Sequence, residues 1–309
     1  MKRSALLLVG LLAACKSASP APAQGPAAPP SAELEVKVAA LEQRVDLLEK
    51  LLGGQAPGGE QSTLPGDSGA RLARVEQRLD KVVGFLKQAV RPEVDTSLMY
   101  ALPIDPSDPV IGPADAPVTV VEAFEFLCPY CHMLQPTIDR LRAEYPKNVR
   151  VVSKYLVIHG PPAVPAGLAG CAAGRQGKYE AYQKAVWPAI WASDDGPDRD
   201  QADADAIEAR AKGIGLDLKK YKADIADGGP CEQWMATNAD VLERFGVTGT
   251  PTVFINGRVM DSRDYDDLKT AVEAELQAVK TSGVAPGRYY QDVVMARGKS
   301  EAVLISPFD

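Results

Sequence analysis

Two cysteines separated by two residues, Cys128-Pro129-Tyr130-Cys131, carry the most reactive side chains in the sequence. The apolar, β-branched run from Val118 to Phe124 stands before them and a helical pattern from Met133 to Tyr145 follows. The pair therefore lies where a strand gives way to the start of a helix. Unsatisfied backbone N–H groups and the positive end of the helix dipole stabilise a thiolate over a thiol at such a place. Settings of this kind lower a cysteine pKa from about 8.5 into the range of about 3.5 to 7.5. Cys128 is thus the candidate nucleophile. Cys131, one helical turn deeper, is within reach of a mixed disulfide on Cys128 and is the candidate resolving thiol. A C-x-x-C pair is also half of a zinc site. Zinc needs a second pair, however, and Cys171 and Cys231 are sixty residues apart, while His132 stands at no offset typical of a finger. No metal and no cofactor is expected.

The elements that must hold the dithiol read as an α/β domain over residues 103–280. A second strand is expected from Val149 to Val157, and residues 165–245 have a helix-rich composition punctuated by Gly and Pro. Two short runs, Thr252 to Ile255 and Arg258 to Met260, flank Asn256-Gly257, a strong hairpin signal. A last helix is expected from about Tyr265 to Val279.

The order of strand, Cys128-Pro129-Tyr130-Cys131, helix, helical insertion and Gly249-Thr250-Pro251-Thr252 before a hairpin resembles the DsbA-like branch of the thioredoxin superfamily. Asp108-Pro109-Val110-Ile111-Gly112 and the run from Gly246 to Gly257 resemble that family nearly word for word. The resemblance implies a thioredoxin-like fold with a helical insertion and a thiol-disulfide oxidoreductase acting on protein thiols and disulfides. It implies that Glu122 is the buried acid that moves a proton to and from the resolving cysteine, and that Lys154 is its charged partner; a plain structural ion pair is the alternative for both. Pro251 would be cis and lie against the dithiol, presenting the backbone of Thr250 to a substrate peptide. With Pro129 and Tyr130 these residues form the expected substrate-binding surface. Tyr130 also tunes the potential, and Thr250 is more like the residue of isomerases than the valine common in strong oxidases. Pro136 is expected to kink the helix.

Cys171 and Cys231 both fall within the helical insertion. A structural disulfide between them is favoured over two buried free thiols, and closing a loop of that size stabilises by at most about 4 kcal/mol in the chain-entropy model. Trp187, Trp191 and Trp234 are expected in the core.

The N-terminal third has a different character. Lys2 and Arg3, an apolar run from Ala5 to Leu12 and then Ala13-Ala14-Cys15 have the layout of a secretory signal over residues 1–14. Leu12-Ala13-Ala14-Cys15 resembles the lipobox of bacterial lipoproteins, which makes Cys15 the expected lipidation site; an ordinary signal peptide is the alternative. Lys16, rather than an aspartate, follows Cys15, as in lipoproteins sorted to the outer membrane. Residues 15–30 form a Pro/Ala-rich tether.

Over residues 31–90, Leu34, Val38, Leu41, Val45, Leu48 and Leu52 make one heptad seam, and Leu72, Val75, Leu79, Val82 and Leu86 make a second. The two share an internal repeat, Glu42-Gln43-Arg44-Val45-Asp46 recurring as Glu76-Gln77-Arg78-Leu79-Asp80, across a Gly/Pro-rich linker from Gly53 to Gly69. Segments this short need partners. Self-association into an oligomeric coiled coil is expected ahead of a hairpin in which the two segments fold back on each other. Residues 281–309 form a C-terminal tail without assigned chemistry.

A net charge of −7 gives no reason to expect nucleic acid as a partner. The expectation is a lipid-anchored oxidoreductase on the periplasmic side of a bacterial envelope, served by a membrane redox partner. A coiled-coil adaptor lipoprotein and a Cu(I)-handling thiol protein are the rival readings.

Overall fold

The computed structural model describes residues 32–51, 68–89 and 93–305. The signal sequence, Cys15, the tether and most of the Gly/Pro-rich linker lie outside the described residues. The chain divides into two units, Met1–Val90 and Arg91–Asp309.

In the first unit, α1 (Ala32–Leu51) and α2 (Ser68–Ala89) pack on each other. Val38, Val45, Val75 and Val82 of the heptad seams are buried between them. Arg71 grips Glu42 through two bonds of 3.1 and 2.6 Å, and Arg78 bonds Asp46 at 2.5 Å. Both pairs advance toward the C-termini of both helices, so the helices run in the same direction. The seams thus meet within one chain, but side by side in parallel instead of as a fold-back hairpin. Leu41 and Leu79 of the same seams stay 37% and 40% exposed.

In the second unit, β-branched runs build a five-stranded sheet in the order β2 (Val110–Ile111), β4 (Val149–Tyr155), β3 (Val118–Phe124), β5 (Thr252–Ile255), β6 (Arg258–Val259). β3 and β4 are parallel, and the other pairings are antiparallel. Every residue of β3 is buried, as a strand covered on both faces requires. One face carries Val118 and Val120, with Val151 and Val253 beside them, against Leu134 and Ile138 of α3 (Pro129–Glu144) and Leu268 and Val272 of α9 (Tyr265–Thr281). The other carries Val121, Val152 and Phe254 against Tyr100, Leu102 and, from α8 (Pro230–Arg244), Val241 and Leu242.

The connection between β4 and β5 is the helical insertion: α4 (Val164–Arg175), α5 (Tyr179–Ile190), α6 (Ala204–Gly213), α7 (Leu218–Asp224) and α8. It closes a core of its own around Phe126, Tyr155, Tyr182 and Trp187. Between β5 and β6, Asn256 and Gly257 take φ of 44° and 80°, the left-handed pair that a tight two-residue hairpin demands. The Asn256 amide is also a buried clasp, accepting from Thr119 N at 2.9 Å and donating to Pro117 O at 3.2 Å.

The domain starts earlier than Pro103 and includes the tail. β1 (Glu93–Val94) pairs antiparallel with β7 (Leu304–Ile305), and a π-helical turn, Tyr290–Met295, lays Tyr290 on the core, its hydroxyl donating to Leu102 O at 2.7 Å. The active-site helix also starts earlier than its apolar pattern, at Pro129 instead of Met133. Proline at the first helical position has no N–H to leave unsatisfied, so it favours that start.

Candidate active site

Cys128 is the N-cap of α3, with extended backbone angles (φ −81°, ψ 119°) and Pro129 at the first helical position. Both Cys128 and Cys131 are free thiols. The hydrogen bond from the Cys131 thiol lowers the Cys128 pKa to about 5, helped by the Thr250 side chain and the backbone N–H groups of Cys131 and Tyr130, and against the effect of burial. Near neutral pH Cys128 is therefore mostly thiolate. Burial drives the Cys131 pKa far upward, and its hydrogen bond to Cys128 adds to this. One thiolate and one thiol stand side by side, with the thiol as the donor.

The wall opposite the dithiol comes from the segment before β5. The Thr250–Pro251 peptide bond is cis, as the family resemblance implied, and Thr250 O lies 3.3 Å from Cys128 Sγ. Thr250 is buried. On the outer side, Pro129 and Tyr130 are exposed, Tyr130 at 61%, with Met133 beside them at 70%. The Arg263 guanidinium stands 6.0 Å from the Tyr130 ring. Around a reactive thiolate the chain thus offers apolar surface and a backbone carbonyl.

Glu122 lies in β3 level with Ser153 of β4 and Val253 of β5. Only 1% of it is exposed, and burial lifts its pKa to about 8. Gln135 Nε2 donates to its Oε1 at 3.2 Å and offsets part of that rise. At neutral pH Glu122 is mostly a neutral acid that holds a proton near Cys131.

A thioredoxin family model matches residues 105–274, more than half of the 309-residue chain. The chain belongs to this thioredoxin family. Among curated relatives, a Na(+)/H(+) antiporter NhaA 3 of Salinispora tropica is 34% identical over 162 residues, 51% of this chain and 23% of that protein. A Na(+)/H(+) antiporter NhaA of Herminiimonas arsenicoxydans is 29% identical over 192 residues, 62% of this chain and 29% of that protein. The chain thus spans about a quarter of the length of the curated relatives it matches. The crystal structure of oxidised BdbD from Bacillus subtilis shares the fold at 21% identity and a TM-score of 0.51, over 58% of this chain and 98% of that one. Among the described residues, no helix is long and apolar enough to cross a membrane.

In this thioredoxin-family chain, Lys154 is not the partner of Glu122, which corrects the expectation from the sequence. Lys154 is level with Ala123, one residue on from Glu122, and successive strand residues point to opposite faces. Lys154 Nζ instead bonds Asp108 Oδ2 at 2.6 Å and Asn238 Oδ1 at 3.2 Å, both ion-pair side chains being buried. Trp234 Nε1 donates to Asp108 Oδ1 at 2.9 Å and Asp105 N to Oδ2 at 2.8 Å, so the carboxylate is fully engaged. Lys154 thus sits in a structural ion pair, but with Asp108 and not with Glu122 as either reading of the sequence had it.

Cys171 and Cys231 are disulfide-bonded and tie α4 to α8, with Cα atoms 5.6 Å apart. Trp187 and Trp234 are buried, and Trp191 packs partly exposed against the same core.

Sequence reasoning passed over two groups beside the dithiol. Glu125 is fully buried, and its carboxylate accepts from Ile158 N at 3.0 Å, His159 N at 3.1 Å and His159 Nδ1 at 2.9 Å. Its backbone O accepts from Cys128 N at 3.2 Å, so one residue fastens the segment at 158–159 to the dithiol loop. Gln135 is the other. An acid between Phe124 and Phe126, and an amide within the apolar stripe of Cys131, Leu134 and Ile138, were the available signals.

Proposed function

We propose that this protein exchanges disulfides with protein substrates in a bacterial envelope, working in the oxidising or isomerising direction. The observation that carries the reading is the free Cys128–Cys131 dithiol at the N-terminus of α3, with Thr250 O 3.3 Å from Cys128 Sγ. In oxidation, a substrate thiolate attacks Cys128 Sγ of the Cys128–Cys131 disulfide and the S–S bond breaks, with the electron pair leaving on Cys131. Glu122 gives that sulfur its proton. A second substrate thiolate then attacks the substrate sulfur of the mixed disulfide and expels Cys128, a good leaving group because its thiolate is stable near pH 5. A proton-bearing Glu122 at neutral pH suits this direction.

Isomerisation begins with the second step in reverse. The Cys128 thiolate attacks a wrong disulfide, and a substrate thiol or Cys131 resolves the mixed species. Tyr130, Pro129, Thr250 and Pro251 hold the extended peptide by apolar contact and backbone bonding. The layout of residues 1–15 supports secretion and lipidation at Cys15, and a membrane partner would return the dithiol to its working redox state.

The exposed leucines of the α1–α2 pair, Leu41 and Leu79, favour further helices joining it, which supports an oligomer. Turnover of a scrambled multi-disulfide protein, with and without residues 31–90, tests the whole reading. The full soluble chain should sediment as an oligomer and reshuffle faster per dithiol than the shortened one. A monomer at micromolar concentration refutes the assembly, and absence of any turnover refutes the activity.

A further inference from the structure

Glu122 is sealed into the sheet, yet each exchange requires its proton to pass to or from bulk water. The Gln135 amide that touches it is on the wall of a cavity of about 610 Å³ between α3 and α5. His132 and Asp139 of α3, Trp187 of α5 and, just beyond it, Trp191 form much of the rest of that wall. Two ring nitrogens in it, Trp187 Nε1 and His132 Nδ1, are buried and bond no group of the fold. Trp187 as a whole is 7% exposed. The His132 ring stacks on Trp191 with centroids 4.7 Å apart and planes at 1°, which fixes the direction of its nitrogens.

The charges at the rim neutralise one another. Arg142 bonds Asp139 at 3.3 Å and Glu180 at 3.0 Å, and Lys184 bonds Glu180 at 3.1 Å. Such a rim gives no preference to an anion or a cation. A polar, roomy cavity with two nitrogens and an amide to bind suits ordered water, which needs about 30 Å³ and two to four partners each.

We propose that the α3–α5 groove is the proton route of the dithiol, with water held by Trp187 Nε1 and His132 Nδ1 and with Gln135 as the positioning residue that joins it to Glu122. The inference rests on the proton-transfer role given to Glu122 above. When Cys131 leaves as a thiolate, Glu122 protonates it and becomes a carboxylate, and Gln135 Nε2 holds that carboxylate at the mouth of the groove. A proton from bulk then arrives along the water, and Glu122 is neutral again. Glu122 faces Gln135 and Asp139 from α3, both thiols, Tyr179 from α5 and Ser153 from β4, none of which is a cation.

The test follows expulsion of Cys131 when the oxidised full chain meets a reduced peptide, by quenched flow and alkylation from pH 5 to 9. Glu122→Gln should slow the step and abolish the limb of the pH profile near pH 8. Gln135→Leu should slow it several-fold and move that limb upward by about one pH unit, because the carboxylate loses its donor. Trp187→Phe keeps an aromatic ring and removes the pyrrole half of the indole with its N–H. It should slow the step several-fold with the limb in place, and it reports independently if Gln135→Leu disturbs the fold. Gln135→Leu should add nothing in the Glu122→Gln background.

If Glu122→Gln slows the step while Gln135→Leu and Trp187→Phe leave both rate and limb unchanged, the route is wrong and the role of the acid stands. If Glu122→Gln has no effect, the acid's role and the route fall together.

Discussion

Replacing Cys131 with Ala removes the thiol that contributes most to holding Cys128 as a thiolate, at a site where burial works in the opposite sense. A hydrogen bond to a charged group is worth about 1.5 to 3 kcal/mol, and about 1.4 kcal/mol is one pH unit. The Cys128 midpoint should therefore climb from about 5 by roughly one to two units, with the Thr250 side chain and two backbone N–H groups retaining the rest of the shift. The thiolate absorbance of the soluble chain without Cys15 reads this directly, because Cys171 and Cys231 are tied up as a disulfide and Cys128 is then the only remaining thiol. Alkylation rates across the same pH range give a second curve with the same midpoint. A Cys131→Ala midpoint that stays near 5 would show that the helix terminus alone holds the thiolate, and the thiol-to-thiolate bond would have to be abandoned.

Other consequences can be measured on the same protein. The folded pKa of Cys128 is depressed, so the stability it adds to the reduced form is complete above the unfolded value of about 8.5 and is lost as pH falls through about 5; near pH 7 it amounts to roughly 3 kcal/mol. Denaturant unfolding of the reduced protein against Cys128→Ala should show a gap that widens from pH 5 to 8, and a constant gap would contradict the assignment. Lys154→Met leaves Asp108 buried without its cation and should cost about 3 to 5 kcal/mol in urea unfolding. Its Cys128 midpoint and Glu122 limb should not move, and a moved limb would mean that Lys154 acts across the sheet after all. Replacing both Cys171 and Cys231 with Ala should lower stability by up to about 4 kcal/mol while exchange by the dithiol continues, and loss of exchange in protein that is still folded would refute a purely structural bond.

The sequence was most informative where function depends on local chemistry. Cys128 and Cys131 are recognisable from their spacing and their place before a helix, and Asn256-Gly257 marks its hairpin because few residue pairs accept φ of 44° and 80°. Pro251 came from the family pattern instead. Lys154 was misassigned because its partner depends on strand register: one residue along β3 changes the face, and the true partner, Asp108, lies 46 residues earlier in the chain. Gln135 was legible in principle as an amide four residues after Cys131 in an apolar stripe, but its bond to Glu122 requires the packing of α3 on β3. The α3–α5 groove had no sequence signal, since two tryptophans and a histidine on neighbouring helices read as ordinary core.

The most direct test of the division of labour in the dithiol is a pair of trapping experiments on the full soluble chain with a protein substrate. Cys131→Ser should accumulate a mixed disulfide that mass spectrometry maps to Cys128, because attack proceeds and resolution does not. Cys128→Ser should accumulate none and lose turnover. Trapping through Cys131 in the Cys128→Ser protein, or full turnover by that variant, would contradict the account of a Cys128 nucleophile resolved by Cys131.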